Sequence, residues 1–211
     1  VLTTLDRVSA PYTVDHEMKN NHCGVCFQGK MKRRSFPPRV VSHTTRRLQR
    51  IHADLCGPME VFTTTGMKYY LILVYDFSRY SWVYFLRTKG EAADKIQDFC
   101  KFIKAREKTG IECFHSDRGG EFNNHELKVF FDQEGIVQSF SPPYTPQMNG
   151  IAERKNRAIL ESVRCGLFNF NLPKYLWAEA VRTAVYTQNR LVSKAIQGET
   201  PFERFWGRLP K

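Results

Sequence analysis

The sequence predicts an α/β fold, a mixed five-stranded β-sheet with helices packed on its faces, and two observations support this prediction. Apolar runs of strand length alternate with segments in which apolar residues recur every three or four positions, giving the order βββ-α-β-α-β-α-α. Hydrophobic residues make up 42% of the 211 residues, enough to form a buried core. The longest aliphatic and aromatic run, residues 69–75, is far shorter than a bilayer-spanning helix, so we expect no membrane association.

Three consecutive strands open the predicted fold. Two aromatic and aliphatic runs lie on either side of residues 77–79, which is the pattern of an antiparallel hairpin, and a shorter run precedes them. Residues 90–108 then place apolar side chains at helical spacing before Gly110, a residue suited to the end of a helix. The first four strands are predicted at residues 48–55, 69–76, 80–86 and 111–115.

The second half of the chain is predicted to contain a short helix, a last strand and two longer helices. Asn123 or Asn124 can cap a helix that ends near Gly135, and residues 136–140 form the fifth strand. A loop with three prolines at residues 141–150 then separates this strand from the next helix. The two longer helices are predicted at residues 151–167 and 174–191.

The distribution of charge favours a nucleic-acid-binding protein. Lys and Arg number 32 against 21 Asp and Glu, a net charge of +11. Residues 1–50 carry +7, residues 51–150 carry −2 and residues 151–211 carry +6. Basic segments on both sides of an acidic middle suit a carboxylate site that acts on a polyanion, because Lys and Arg neutralise phosphates and release their counterions. A solubilising tail is the alternative explanation.

Three carboxylates fall where predicted elements begin or end. Asp54 lies at the end of the first strand, Asp117 just past the fourth, and Glu153 in the first turn of a helix. Converging carboxylates repel one another, so a hard divalent cation such as Mg²⁺ stabilises them, and a pair of such ions supports phosphoryl transfer. Each acid taken alone is explained equally well as a strand-end, turn or helix N-terminal residue.

Sequence motifs surround all three acids. They read HADLCGP at residues 52–58, HSDRGGEF at residues 115–122 and YTPQMNGIAERKNR at residues 144–157, and 35 residues separate Asp117 from Glu153. In these motifs and this spacing the chain resembles the integrase catalytic core of copia-type LTR retrotransposon Pol polyproteins, in the retroviral integrase superfamily. The resemblance covers most of the chain.

The resemblance implies an RNase H-like fold and an integrase, a polynucleotidyl transferase with endonuclease activity. In such an enzyme Asp54, Asp117 and Glu153 are the catalytic residues and bind two Mg²⁺ or Mn²⁺ ions. The enzyme trims the 3′ ends of element DNA and joins them to target DNA. The resemblance also implies DNA-binding residues in the loop and helix around the third acid, and these are Tyr144, Gln147, Asn149, Asn156 and Arg157.

The resemblance further implies that DNA is the partner, that several copies of the chain assemble, and that the chain is part of a larger polyprotein. We therefore expect an intracellular protein that enters the nucleus at integration and lies in a cytoplasmic particle before it. Four of the six cysteines stand singly in apolar segments, which agrees with a reducing compartment.

Cys23 and Cys26 have the CxxC spacing of metal ligands. They resemble the second half of the family's His-His-Cys-Cys zinc module, which makes Zn²⁺ a second candidate cofactor. Only His16 and His22 precede them, so we expect an incomplete zinc site. The predicted organisation is a partial zinc-binding (pre-integrase) module at residues 1–30, a basic linker at 31–47, and the integrase catalytic domain with C-terminal helices at 48–211.

Two other functions use the same sequence features. One is a catalytically inert DNA-binding or assembly module derived from a retrotransposon, which metal-dependent turnover would exclude. The other is an RNase H-like nuclease that hydrolyses RNA in hybrids. The loop and helix motif at residues 144–157 favours the integrase over the nuclease, and a comparison of hybrid and duplex substrates separates them.

Overall fold

The computed structural model describes residues 49–108, 110–141 and 150–210. The strands are β1 (Arg50–Cys56), β2 (Tyr69–Tyr75), β3 (Ser81–Leu86), β4 (Cys113–Ser116) and β5 (Val137–Phe140). The helices are α1 (Ala92–Glu107), α2 (His125–Glu134), α3 (Gly150–Asn169), α4 (Trp177–Arg190) and α5 (Pro201–Trp206). The predicted order of elements is confirmed, with α5 as an addition. Within the described ranges, no helix combines the length and the apolar character needed to span a bilayer.

The five strands form one mixed sheet in the order β3-β2-β1-β4-β5. Strands β1, β2 and β3 pair antiparallel, as the predicted hairpin requires, whereas β4 runs parallel to β1 and to β5. The parallel pairs follow from the helices α1 and α2, because a parallel strand needs a crossover connection of this kind. The predicted mixed five-stranded sheet is therefore confirmed.

Aromatic side chains attach the first two helices to the sheet. The ring of Trp82 on β3 meets Phe99 of α1 edge to face, with centroids 4.9 Å apart. Phe114 on β4 packs against Phe131 of α2 at 5.0 Å. Both pairs lie in the separations at which aromatic rings attract each other beyond simple burial. The apolar periodicity of α1 and α2 thus faces the sheet, as the sequence pattern predicted.

The described residues fall into two compact units. We call residues 49–77 and 81–157, with the gaps given above, the sheet unit, and residues 78–80 and 158–210 the helical unit. The sheet unit contains all five strands, α1, α2 and the first residues of α3. The division of the chain at residues 30 and 47 stays a prediction, because both positions lie outside the described residues.

Helix α5 belongs to the helical unit and was not predicted. Thr200 accepts a hydrogen bond from the Glu203 backbone at 3.0 Å, Pro201 occupies the first turn, and Gly207 ends the helix in a left-handed conformation. The ring of Phe205 stacks on Tyr80 at 5.0 Å. Six residues are too few to show a helical period, so only the cap and the proline could have indicated this helix.

The chain turns tightly directly after β1. Gly57 has a φ of +131°, and a Cβ atom at this position would lie 2.7 Å from the carbonyl oxygen of Lys68. Only glycine combines that φ with so close a backbone approach. The turn fixes where β1 ends, and with it the position of Asp54 near the sheet edge.

Candidate active site

The sheet carries the first two predicted acids to one edge. β1 and β4 run parallel with His52 opposite His115. Asp54 lies two residues beyond His52, and Asp117 lies two residues beyond His115, so both emerge at the same edge of the sheet. Glu153 is in the first turn of α3, in the same unit. Asp54 and Glu153 are half-buried, whereas Asp117 is exposed.

The surroundings of Asp54 disfavour its negative charge. Burial raises the pKa of this carboxyl from its ordinary 3.8 to about 6. A hydrogen bond from the Asn156 side chain opposes the rise, and the charges of Asp117 and Glu121 add to it. Burial and neighbouring like charges both disfavour the ionised form of Asp54, so this carboxyl binds a proton more readily than an exposed one does.

The pKa of the third acid, Glu153, depends on the charges of the first two. Burial is the largest cause that raises the pKa of Glu153, and the charges of Asp54 and, to a lesser extent, Asp117 raise it further. Arg157 and Arg154 act in the opposite direction. The structure therefore brings Asp54 and Asp117 close enough to Glu153 to influence its ionisation, although 35 residues separate Asp117 from Glu153 in sequence.

Asn156 is placed against the first acid. Its side chain is only 6% exposed, and its Nδ2 donates a hydrogen bond of 2.6 Å to Oδ2 of Asp54. It lies three residues after Glu153 on α3, so both side chains project from neighbouring positions of one helix face. Its amide oxygen is buried and accepts no hydrogen bond from any described residue. The predicted direct contact of Asn156 with DNA stays a prediction.

A local turn orients the second acid. The backbone N–H of Gly119 donates to Oδ1 of Asp117 at 3.0 Å, the pattern of an Asx turn. Glu121 follows in the same turn and forms an ion pair of 3.7 Å with Lys89. Sequence reasoning did not place Glu121 in the site, although it lies in the HSDRGGEF motif. It adds a fourth negative charge near Asp54.

The residues present suit a hard divalent cation. Among the described ranges, no group of three or more His, Cys, Asp or Glu side chains is arranged to hold a metal ion as it stands. The donor atoms are carboxylate oxygens together with the buried amide oxygen of Asn156, which are the ligands that Mg²⁺ and Mn²⁺ prefer. The raised pKa values of Asp54 and Glu153 indicate that a positive charge here would be favourable.

Several predicted site residues lie outside the described part of the chain. Tyr144, Gln147 and Asn149 fall in the gap between residues 141 and 150, and Cys23 and Cys26 precede residue 49. Their predicted roles in DNA and zinc binding stay predictions. Arg157 is exposed on α3, as a contact to DNA requires.

The motifs match a known family. The model of the family described as "Integrase core domain" matches residues 44–146, a range that includes Asp54 and Asp117. The Pol polyprotein of transposon TNT 1-94 from Nicotiana tabacum is 38% identical over 184 residues, or 87% of this chain. That of transposon RE1 from Arabidopsis thaliana is 35% identical over 188 residues, or 89% of the chain. The chain belongs to the retroviral integrase superfamily. The resemblance read from its motifs is confirmed.

This integrase core domain spans only 14% and 13% of the lengths of these two Pol polyproteins. Two solved structures share its fold. One, from a simian T-cell lymphotropic virus intasome in complex with PP2A regulatory subunit B56 gamma, has a TM-score of 0.64 at 18% identity, covering 90% of this chain and 65% of that one.

The other is the HTLV-2 integrase catalytic core domain in complex with magnesium, in a trimeric form. It has a TM-score of 0.54 at 20% identity, and the match covers 75% of this integrase core and 97% of that chain. At these identities the likeness establishes the fold alone. The predicted RNase H-like fold is confirmed.

Because burial and neighbouring carboxylates disfavour the ionised form of Asp54, we expect the substitution Asp54→Asn to stabilise the metal-free protein. At about pH 8 the wild type must keep a half-buried carboxylate ionised beside other carboxylates, and the amide avoids that cost while still accepting the Asn156 hydrogen bond. We expect a melting temperature higher by about 2–4 °C in EDTA, which corresponds to ~1 kcal/mol for a chain of this size.

The sign of the pH dependence follows from the raised pKa. Since the folded-state value of about 6 exceeds the ordinary 3.8, the folded wild type binds the proton more tightly, and this residue makes folding less favourable as pH rises between those values. The advantage of Asp54→Asn should therefore be complete above about pH 6 and absent below about pH 4. Asp98→Asn, at an exposed position of α1, is the control and should not change the melting temperature. A pH-independent advantage would contradict this account.

Proposed function

We propose that the chain is the catalytic core of an integrase that processes the 3′ ends of element DNA and joins them to target DNA. The observation that carries this proposal is that Asp54, Asp117 and Glu153 lie in one unit, where the charges of Asp54 and Asp117 raise the pKa of Glu153, in a chain of the integrase core family. Carboxylate oxygens brought together in this way are the ligands that a hard divalent cation prefers. The family of the chain supplies the substrate class, DNA.

In this proposal Asp54, Asp117 and Glu153 hold two Mg²⁺ or Mn²⁺ ions. When bound, such a pair of ions activates an attacking oxygen and stabilises the leaving oxygen in phosphoryl transfer. Asn156 holds the Asp54 carboxylate in one orientation through its 2.6 Å hydrogen bond. The Asx turn at Asp117 does the same for the second acid. Fixed ligands lower the cost of gathering the carboxylates at the moment of binding.

Positive side chains next to the acids suit a phosphate backbone. Arg154 and Arg157 are exposed on α3, and both already lower the pKa of Glu153. Their guanidinium groups can bind phosphate oxygens while the acids hold the reacting group. Contacts by Tyr144, Gln147 and Asn149 to the element's DNA end belong to the same proposal, because residues 142–149 lead directly into α3.

The wider biological setting is also a proposal. The Pol polyprotein relatives support an origin within a larger polyprotein, and the HTLV-2 core was solved in a trimeric form, which supports an assembly of several identical chains. Action in the nucleus at integration follows from DNA as the substrate. A zinc site at Cys23 and Cys26 remains part of the proposal for the N-terminal segment.

A substrate comparison tests this function against the hybrid-specific nuclease. The complete chain is incubated with Mn²⁺ and either a branched DNA that mimics a joined end or an RNA–DNA hybrid of equal length. We expect resealing of the branched DNA and at least about a tenfold lower rate of hybrid cleavage. Both reactions would use the same two metal ions, but the protein groups that contact the nucleic acid around them would differ between the two substrates. Preferential cleavage of the hybrid would support the nuclease instead, and DNA binding without turnover would support the inert module.

A further inference from the structure

A row of polar side chains, two of them buried histidines, crosses the sheet directly behind the acids. His52 on β1 is paired with His115 on β4, and His115 is paired with Ser139 on β5. The two histidines are 2% and 6% exposed. Because side chains alternate between the faces of a strand, His52 faces the same side of β1 as Asp54, which lies two residues and about 7 Å further along the strand. We call His52, His115 and Ser139 the histidine row.

Side-chain contacts connect the histidine row within the sheet unit. The rings of His52 and His115 meet edge to face with centroids 5.3 Å apart. Nδ1 of His115 lies 3.1 Å from Oγ of Ser139, and its Nε2 lies 3.2 Å from Oγ of Ser141. Two hydroxyl groups on different sides of the imidazole therefore fix the orientation of the His115 ring.

His52, at one end of the row, also lies close to the residue that follows β2. Nε2 of His52 lies 3.9 Å from Oδ2 of Asp76, a residue that follows β2 and is 2% exposed. The backbone N–H of Asp76 in turn donates to the carbonyl of Arg50 at the start of β1 at 3.1 Å. The contacts thus extend from the end of β2 through β1 and β4 to β5.

The composition of the row is unusual for its position. Strands that are buried between helices normally carry aliphatic side chains, and Val74 of β2 occupies the next place opposite His52. Replacing aliphatic residues by imidazoles and hydroxyls sacrifices apolar burial, and the polar groups stabilise the fold only if their hydrogen bonds are made in one arrangement. The hydrogen bonds of His115 to Ser139 and Ser141 define the position of its ring more narrowly than interchangeable aliphatic contacts would.

Two of the three acids are connected to this row by a short stretch of chain. Asp54 and Asp117 follow the two histidines by two residues each. A shift of the His115 ring would therefore be transmitted to the strand end that leads into Asp117.

We propose that His52 and His115 are positioning residues that set the separation of the Asp54 and Asp117 carboxylates for joint binding of a divalent cation. They touch neither the ion nor DNA and act through the strands that carry the acids. This inference rests on the proposed function, because it assigns a task to the same site. Groups behind metal ligands commonly influence affinity or activity by 10–100-fold.

The test compares two substitutions of His115 in the complete chain. His115→Leu introduces an apolar side chain of similar size and loses both hydroxyl contacts, whereas His115→Gln retains a polar amide that can hydrogen-bond with a serine hydroxyl. We expect His115→Leu to lower the Mn²⁺ affinity measured by calorimetry and the kcat on branched DNA by about 10–100-fold each. The KM for DNA and the DNA affinity in EDTA should stay within about twofold, and His115→Gln should recover most of the loss.

A destabilised control separates positioning from general stability. Ile103 is a fully buried residue of α1 that lies outside the row, and Ile103→Ala lowers the melting temperature by opening a cavity. It should leave the Mn²⁺ affinity and kcat within about twofold of the wild type when all proteins are assayed well below their melting temperatures. If Ile103→Ala and His115→Leu lose Mn²⁺ affinity and kcat equally, the proposal is overturned.

The remaining outcomes are also decisive. Wild-type Mn²⁺ affinity and kcat in folded His115→Leu would overturn the positioning role. If that variant does not fold, the double variant Ser139→Ala with Ser141→Ala removes only the two hydroxyl groups and takes its place under the same criteria. A wild type that binds Mn²⁺ but joins no DNA overturns the proposed function, and the affinity comparison alone then decides the positioning role. A wild type that binds no Mn²⁺ overturns both.

Discussion

Glu153→Gln should lower the rate of Mn²⁺-dependent strand transfer on branched DNA by on the order of 1,000-fold, with DNA binding preserved. The substitution removes one negatively charged ligand but keeps the size of the side chain. The half-buried position of Glu153 and the influence of Asp54 and Asp117 on its pKa place it among the groups that a bound cation would neutralise. Asp117→Asn should have an effect of the same order.

The same helix offers a matched control. Glu161 lies eight residues further along α3, in the helical unit, and Glu161→Gln changes the net charge by the same amount. Any gain in DNA affinity from the removed negative charge should therefore be shared by both variants, whereas the loss of strand transfer should be confined to Glu153→Gln. Equal rates in the two variants would refute the assignment of Glu153.

Asn156→Ala should lower kcat by on the order of 100-fold while leaving the KM for DNA nearly unchanged. The substitution removes the donor that holds Oδ2 of Asp54 at 2.6 Å and the buried amide oxygen beside it. Without that hydrogen bond the pKa of Asp54 should rise further, so protons compete more strongly with the metal ion. The Mn²⁺ affinity should fall together with kcat.

Asn189→Ala is the matched control for Asn156→Ala. Asn189 is 3% exposed on α4, in the helical unit, so its replacement also removes a buried amide. We expect a similar loss of melting temperature with kcat close to that of the wild type. A rise in KM for DNA with unchanged kcat and Mn²⁺ affinity in Asn156→Ala would instead support the direct DNA contact that the sequence predicted.

The hairpin of β2 and β3 could be predicted because the two apolar runs are longer than the turn that separates them. Residues 69–76 and 80–86 read as a hairpin, and β2 and β3 pair antiparallel at Tyr69–Tyr75 and Ser81–Leu86. The order of the strands in the sheet could not be predicted in the same way. That β4 inserts beside β1 depends on the path of α1 across the sheet, which no local pattern contains.

The side chains that contact or adjoin the acids could not be predicted from sequence patterns. Helical spacing places Glu153 near the start of α3, but the burial of Asn156 depends on how closely α3 approaches β1. His52 and His115 stand in the two motifs that contain Asp54 and Asp117, yet their pairing appears only once the parallel register of β1 and β4 is known. Tertiary distances decide which polar residue of a motif is buried and which is exposed.

Disintegration of a branched DNA by the 211-residue chain is the most direct test of whether Asp54, Asp117 and Glu153 form a metal-dependent active site, since this reverse reaction demands the fewest additional DNA contacts. Resealed product and DNA affinity are measured across a Mn²⁺ titration and in EDTA, for the wild type and for Asp54→Asn. We predict resealed duplex that requires Mn²⁺ and the Asp54 carboxylate, with DNA affinity retained in the variant. Saturating Mn²⁺ binding without resealed product, or product that persists in Asp54→Asn, would show that the Asp54 carboxylate is not part of a metal-dependent active site for this reaction.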